Sequence, residues 1–156
     1  GAPAALREAL IRHAVELAER SGTDEIVLFH AWSVVGQHLL DHPRSGLSEA
    51  AVRDYVGGWE AEHRRWLNET VDNANRIHGK DIRFTGELVR GEPHAVIPEF
   101  VSARGGLLVI GSANRAGVAG LLIGNTAEGV IDRIEGDVYV VKPEGFEKVI
   151  APFFAV

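Results

Sequence analysis

The sequence contains no cysteine, which excludes disulfide stapling and thiol catalysis. It has no apolar run approaching the roughly 20 residues that a membrane-spanning helix needs. It also opens without the order of charged, apolar and small residues that marks a secretory signal, so the expected location is the cytoplasm. Positive charge is scarce: 16 Lys and Arg against 22 Asp and Glu give a formal charge of −6. The basic residues are dispersed along the chain, which argues against a nucleic-acid surface held by phosphate contacts. Hydrolytic signatures are missing too. There is no G-x-S-x-G elbow, Ser112 has no assigned histidine or acid beside it, and no G-x4-G-K-[S/T] loop brings a lysine to a phosphate.

What is present has the size and balance of one globular domain, with 156 residues of which 46% are hydrophobic and 24% charged. Pro3 suits a first helical turn, and Leu6, Leu10, Ala14, Leu17 and Ala18 follow at helical spacing until Ser21-Gly22. Glu25 to Trp32 (EIVLFHAW) is a continuous apolar run, the pattern of a parallel strand covered on both faces. Gly36 to Gly46 reads as a loop. A second helix is predicted from about Ser48 to Ile77, with Val52, Tyr55, Trp59, Trp66, Val71 and Ala74 near one stripe and an interruption at Gly57-Gly58. A strand from Asp81 to Val89 comes next, then a helix from Pro93 to about Ala103 with Pro98 as an internal oddity, then a turn at Gly105-Gly106. Strand and helix alternate throughout, which predicts an α/β fold on a doubly wound parallel sheet with right-handed crossovers. Ligands of such sheets bind beyond the carboxyl ends of the strands, where strand order reverses.

The segment from Leu107 to Lys142 carries the most information. An apolar strand, Leu107 to Ile110, meets Gly111, which lets the backbone turn. Gly117, Gly120 and Gly124 follow before the helical pattern Thr126, Val130, Ile131, Ile134, and a last strand spans Asp137 to Val141. Backbone N–H groups freed in such a loop, with the positive end of the next helix, can hold an anion, although a plain structural turn is the commoner use. Arg115 is the loop's one cation.

On these residues the chain resembles the universal stress protein family. Its nucleotide-binding members carry G-x2-G-x9-G-[S/T] around the ATP phosphates; here Gly111, Asn114, Gly124 and Asn125 occupy the fixed positions. Asn thus replaces the second glycine and the hydroxyl residue, and Thr126 offers a hydroxyl one place later. The spelling GNTAE-x-VID with VKPEGF, and LVRGEPHAVIPEF at Leu88 to Phe100, is most similar to the second half of tandem, UspE-type members. The resemblance implies a Rossmann-like, adenine nucleotide alpha hydrolase-like sheet of order 3-2-1-4-5. It offers ATP or AMP as ligand at Gly111, Ser112, Asn114, Arg115, Gly124, Asn125 and Thr126, with no cofactor certain. It also implies a homodimer, or pairing with a tandem sister domain, through the strand at 137–141. The expected function is a non-catalytic, dimeric stress-response binding or signalling module with a degenerate nucleotide loop. The alternative is an ATP- or AMP-binding sensor with weak or no hydrolysis, and a different small molecule above the 111–125 loop stays open.

The family opens with a strand, conventionally K-[IV]-[LI]-V-x-V-D, at the centre of its sheet, whereas the pattern here opens on a helix. A core of residues 1–145 without that strand would leave two pieces with open edges. Val149 to Val156, within the last segment 146–156, matches the opening strand in kind and is expected to supply it. It would do so within one chain, by exchange between two chains, or because the segment was cut from a tandem protein. An appended arm, or an opening strand missing from the sequence, is the alternative. On this alignment Phe154 stands where ATP-binding members carry an acid, and it can neither accept a hydrogen bond nor carry charge.

Seven histidines invite a metal reading. His38, Asp41 and His42 form the best cluster, but Pro43 and Gly46 break their segment into a solvated loop, so no metal is expected. His30 lies near the sheet's carboxyl edge as a hydrogen-bonded structural residue and a neighbour to any ligand. His63, with Glu60 and Glu62, reads as a polar helix face, and Trp32, Trp59 and Trp66 as packing residues.

Overall fold

The computed structural model describes residues 4–34, 46, 48–112 and 125–142. A helix α1 (Ala4–Ser21) leads through a short turn into β1 (Glu25–Trp32). It is followed by α2 (Glu49–His78), β2 (Arg83–Arg90), α3 (Pro93–Arg104), β3 (Leu108–Gly111), α4 (Asn125–Ile131) and β4 (Val138–Val141). The alternation expected from sequence is therefore present as an α/β, Rossmann-like arrangement. Ser48 caps α2, its hydroxyl accepting from the Ala51 amide at 3.2 Å. The helix is unbroken through Gly57-Gly58, where the sequence suggested an interruption. Glycine weakens a helix by only about 1 kcal/mol per residue, and the packed turns around Leu67 and Ala74 hold the rest in line.

Both strand pairs are parallel. β1 runs beside β2 from Glu25 opposite Arg83 to Trp32 opposite Arg90, and β3 beside β4 from Leu108 opposite Val138 to Gly111 opposite Val141. Among the described residues β1 and β3 do not pair with each other, so the strands form two separate two-stranded sheets. Helix α1 spans both. Its Ile11, Val15 and Ala18 pack with Ile26, Leu28, Val71, Ala74, Ile82 and Phe84, while its Leu6, Ala9 and Leu10 pack with Val109 and Val141. Gly111, at the end of β3, lies under Leu6 and Leu10, and Tyr139 stands beside His13. β3 and β4 thus run antiparallel to α1, as β1 does after its tight turn. The carboxyl ends of β1 and β3 consequently open at the same edge.

A strand inside a doubly wound sheet is normally covered on both faces. Here seven of the eight β1 residues and all four of β3 are only half-buried, whereas Phe84 of β2 and Val141 of β4 are 2% and 3% exposed. The exposed strand residues lie on β2, at Arg83, Gly86, Glu87 and Arg90, and on β4, at Tyr139. The segment expected to supply a central strand, Val149 to Val156, lies outside the described residues.

Two close approaches set the helix layer. A Cβ on Gly111 would stand 3.1 Å from Leu6 Cδ2, and one on Gly86 would stand 3.1 Å from Leu67 Cγ and Val71 Cγ2. Each sheet therefore offers a bare position to the helix above it. At the outer edge of β2, the Asn75 side chain acts as a one-residue strand: its Oδ1 accepts from the Phe84 amide and its Nδ2 donates to the Phe84 carbonyl, both at 2.9 Å. In α3, Pro98 has no N–H to give the carbonyl four residues back. That carbonyl, on His94, instead accepts from Arg133 Nη1 at 3.2 Å.

Replacing Asn75 with Ala leaves a donor and an acceptor of Phe84 without protein partners, at an expected cost of about 1–3 kcal/mol. Denaturant unfolding should show the loss as a lower midpoint at constant slope, and an unchanged midpoint would refute the role given to Asn75.

Candidate functional site

The two-residue period of β1 sends Ile26, Leu28, His30 and Trp32 toward α1 and α2. Phe29 faces the opposite way, with its ring 4.6 Å from that of Phe100 in α3. Helix α2 answers with Trp59, His63 and Trp66, four and three residues apart and therefore on one stripe. Where the stripe crosses the carboxyl end of β1, His30 Nε2 and His63 Nδ1 share a hydrogen bond of 2.9 Å. The Trp66 ring lies 4.7 Å from His30, the Trp32 ring 5.5 Å from His63, and Trp59 stacks on His63 at 6.1 Å. Tyr55 extends the series along the helix, 6.4 Å from Trp59. Two guanidinium groups close the cluster, Arg7 over Trp66 and Arg90 over Trp32, at 5.6 and 5.7 Å from the ring centres.

Burial, and then the electrostatic influence of the neighbouring His63, push the His30 pKa down to about 4. His30 is therefore neutral at pH 7 and has a ring nitrogen available as an acceptor or ligand. One of the two facing nitrogens must carry the shared proton and the other must accept it.

The residues singled out in the glycine loop are placed unevenly. Gly111 and Ser112 close β3; Ser112 is 2% exposed, and its amide donates to the Val141 carbonyl at 2.9 Å, extending the β3–β4 ladder by one rung. Asn125 and Thr126 open α4, with Thr126 exposed. Asn114, Arg115 and Gly124 lie outside the described residues, as do His38, Asp41, His42 and Phe154. His63 is a correction: it is half-buried and bonded to His30 rather than simply part of a polar helix face. The spacing of positions 59, 63 and 66, set against positions 30 and 32 of an alternating strand, was the signal that could have revealed it. At the opposite, amino edge of the strands there is an open hollow of about 440 Å³ lined by Asp24, Asn75, Lys80, Asp81 and Arg83. Ligands of open α/β sheets use the carboxyl edge, so the chemistry is sought beside His30 and Gly111.

His30 in the unfolded chain takes up its proton near pH 6.5, and in the folded protein only near pH 4. Between these values the unfolded state binds more protons, so stability falls as pH falls from 6.5 toward 4. Solvent screening of a half-buried ring leaves about 1–2 kcal/mol for this effect. Unfolding free energies at pH 7 and 4.5 should differ by that much less in His30→Gln than in the parent; equal differences would rule the effect out.

The model of the universal stress protein family matches residues 4–142. Universal stress protein E of Escherichia coli K12 is 28% identical over 146 residues, covering 92% of this chain and 43% of that protein. The chain thus spans less than half the length of that curated relative. A universal stress protein from Archaeoglobus fulgidus has the same fold, with a TM-score of 0.64 at 19% identity, covering 91% of this chain and 93% of that one. A universal stress protein solved in complex with cAMP gives a TM-score of 0.59 at 20% identity, covering 90% of each chain. At such identities the structural likeness speaks for fold alone, and the sequence match over residues 4–142 supplies the rest: the chain is a Rossmann-like domain of the universal stress protein family, similar in sequence to its UspE members.

Proposed function

We propose that this domain is a non-catalytic, dimeric stress-response module that binds a small molecule at the carboxyl edge between β1 and β3. The observation that carries this reading is the use already made of the first two loop residues. Gly111 is bare because Leu6 and Leu10 press on it, and Ser112 is buried with its amide bonded to Val141. Both have structural duties, which leaves the loop fewer free donors for a phosphate. Asn114 and Asn125 add side chains where the family's nucleotide signature has glycine and a hydroxyl.

A second reading keeps the nucleotide. A protein of the same fold was solved with cAMP. By analogy ATP or AMP would be held here by Gly111, Ser112, Asn114, Arg115, Gly124, Asn125 and Thr126, with the exposed Thr126 hydroxyl reaching the phosphates. Titration calorimetry with ATP, AMP and cAMP, each to millimolar concentration with magnesium, separates the two. The first reading expects no heat of binding; a micromolar Kd that Thr126→Ala weakens about tenfold would establish the second.

The assigned partner is a second copy or a tandem sister domain at the outer edge of β4, where Tyr139 is 38% exposed. The place between β1 and β3, which do not pair with each other among the described residues, is assigned to one strand, Val149 to Val156, from the same chain or exchanged with a copy. Light scattering should give a dimer that Tyr139→Arg converts to a monomer. Deleting residues 146–156 should speed hydrogen exchange at the β1 and β3 amides, and unchanged exchange would withdraw the strand assignment.

A further inference from the structure

We propose that the bond between His30 and His63 is an acid-opened clasp, which holds the amino-terminal half of α2 against the carboxyl end of β1 until both rings are charged and then releases it. The bond joins His30 Nε2 to His63 Nδ1 at 2.9 Å, so one hydrogen lies between two nitrogens whose N–H and lone pair point at each other. One added proton leaves this contact intact, because an imidazolium donates to the remaining imidazole and the bond becomes charge-assisted. A second proton makes donors of both facing nitrogens. Two N–H groups then meet head-on, and two positive charges stand where one hydrogen bond stood. The titration belongs to the pair, and only its last step breaks the contact.

The surroundings give that second charge no counter-ion. From α1, Arg7 covers Trp66, and from β2, Arg90 covers Trp32, so the cations on both flanks oppose it. On α2 itself, Glu60 stands three residues before His63 but is bonded to Arg64 at 2.7 Å, and Glu62 is exposed. Among the described residues neither imidazole has a further hydrogen bond or an ion pair. Trp59, stacked on His63 at 6.1 Å, offers a ring face that suits a single cation. Burial, then His63, then the positive amino terminus hold the His30 pKa down at about 4. The clasp is therefore shut at pH 7 and opens as pH falls through that value.

Release is local because the rest of α2 is fastened elsewhere. Val71 and Ala74 pack with Ile82 and Phe84, and Leu67 and Val71 close over Gly86. Before His63 the helix is held far less: Trp59 is 36% and Tyr55 49% exposed, and no described atom stands within 4 Å of a Cβ placed on Gly57 or Gly58. The His30 bond ties this half of the helix to the sheet, and the two glycines lower the cost of moving it. Opening uncovers Trp32, which is 4% exposed in the closed state, and widens the carboxyl edge beside it. This inference does not depend on whether a nucleotide binds.

The test compares the whole chain at pH 7 and pH 3.5, by acrylamide quenching of its three tryptophans and by hydrogen-exchange protection factors. The expected result is a quenching constant raised roughly threefold at the lower pH, with protection lost over residues 50–62 and kept over residues 67–74. His30→Gln and His63→Gln each keep a hydrogen-bonding side chain in place and leave one ring to charge. In both variants the rise should vanish, while His78→Gln and His94→Gln retain it. Circular dichroism at pH 7 identifies a variant that has failed to fold, and His63→Gln, on the half-exposed stripe of α2, then decides alone. A rise that survives in a folded His63→Gln would overturn the proposal. So would a parent that quenches equally at both pH values, or one in which residues 50–62 and 67–74 lose protection together.

Discussion

Among the described residues, helix α1 is the one element whose apolar residues enter both hydrophobic clusters, and the relation between the two sheets depends on it. Leu6, Ala9 and Leu10 belong to the β3–β4 side, and Ile11, Val15 and Ala18 to the β1–β2 side. The stripe changes sheets between Leu10 and Ile11, which places the boundary between sheets under the middle of the helix. Sliding α1 by one turn, about 5.4 Å, would move Leu6 and Leu10 off the bare backbone of Gly111. The shared carboxyl edge exists because one helix holds both sheets in step.

Much of this was legible in the sequence for local reasons. β1 was read at its observed bounds because EIVLFHAW is, after its opening glutamate, an apolar run interrupted only by His30, and follows a Ser-Gly stop. α1, α3 and β4 followed from caps, glycines and β-branched residues. The cover expected for β1 was misjudged because an apolar run reports the cover that a strand is built for, and among the described residues β1 has a neighbour on one edge only. Gly111 was read as part of an anion loop when its nearest neighbours are leucines. A glycine spared for close packing and one spared for a phosphate look the same in a sequence, and only the atoms above the Cα separate them.

The histidine and tryptophan cluster was not legible, because it rests on the crossing of two elements whose histidines are 33 residues apart. Its members were each assigned correctly or nearly so to an element, but the angle at which α2 crosses β1 comes from the packing of Leu67, Val71 and Ala74 farther along the helix. Polar chemistry at the carboxyl edge is in this sense a product of the apolar core at the other end of α2. The two guanidinium groups over Trp66 and Trp32 show the same dependence, since Arg7 and Arg90 arrive from α1 and β2.

Pro98 gives α3 a hydrogen-bonding vacancy in an otherwise regular helix, and Arg133, just beyond α4, fills it at the His94 carbonyl. A perfect helix presents its neighbours with a wall of satisfied backbone on which any register is as good as the next. The proline turns one point of that wall into an address, so the short helix after the glycine loop is keyed to its neighbour by a missing donor as well as by apolar contact.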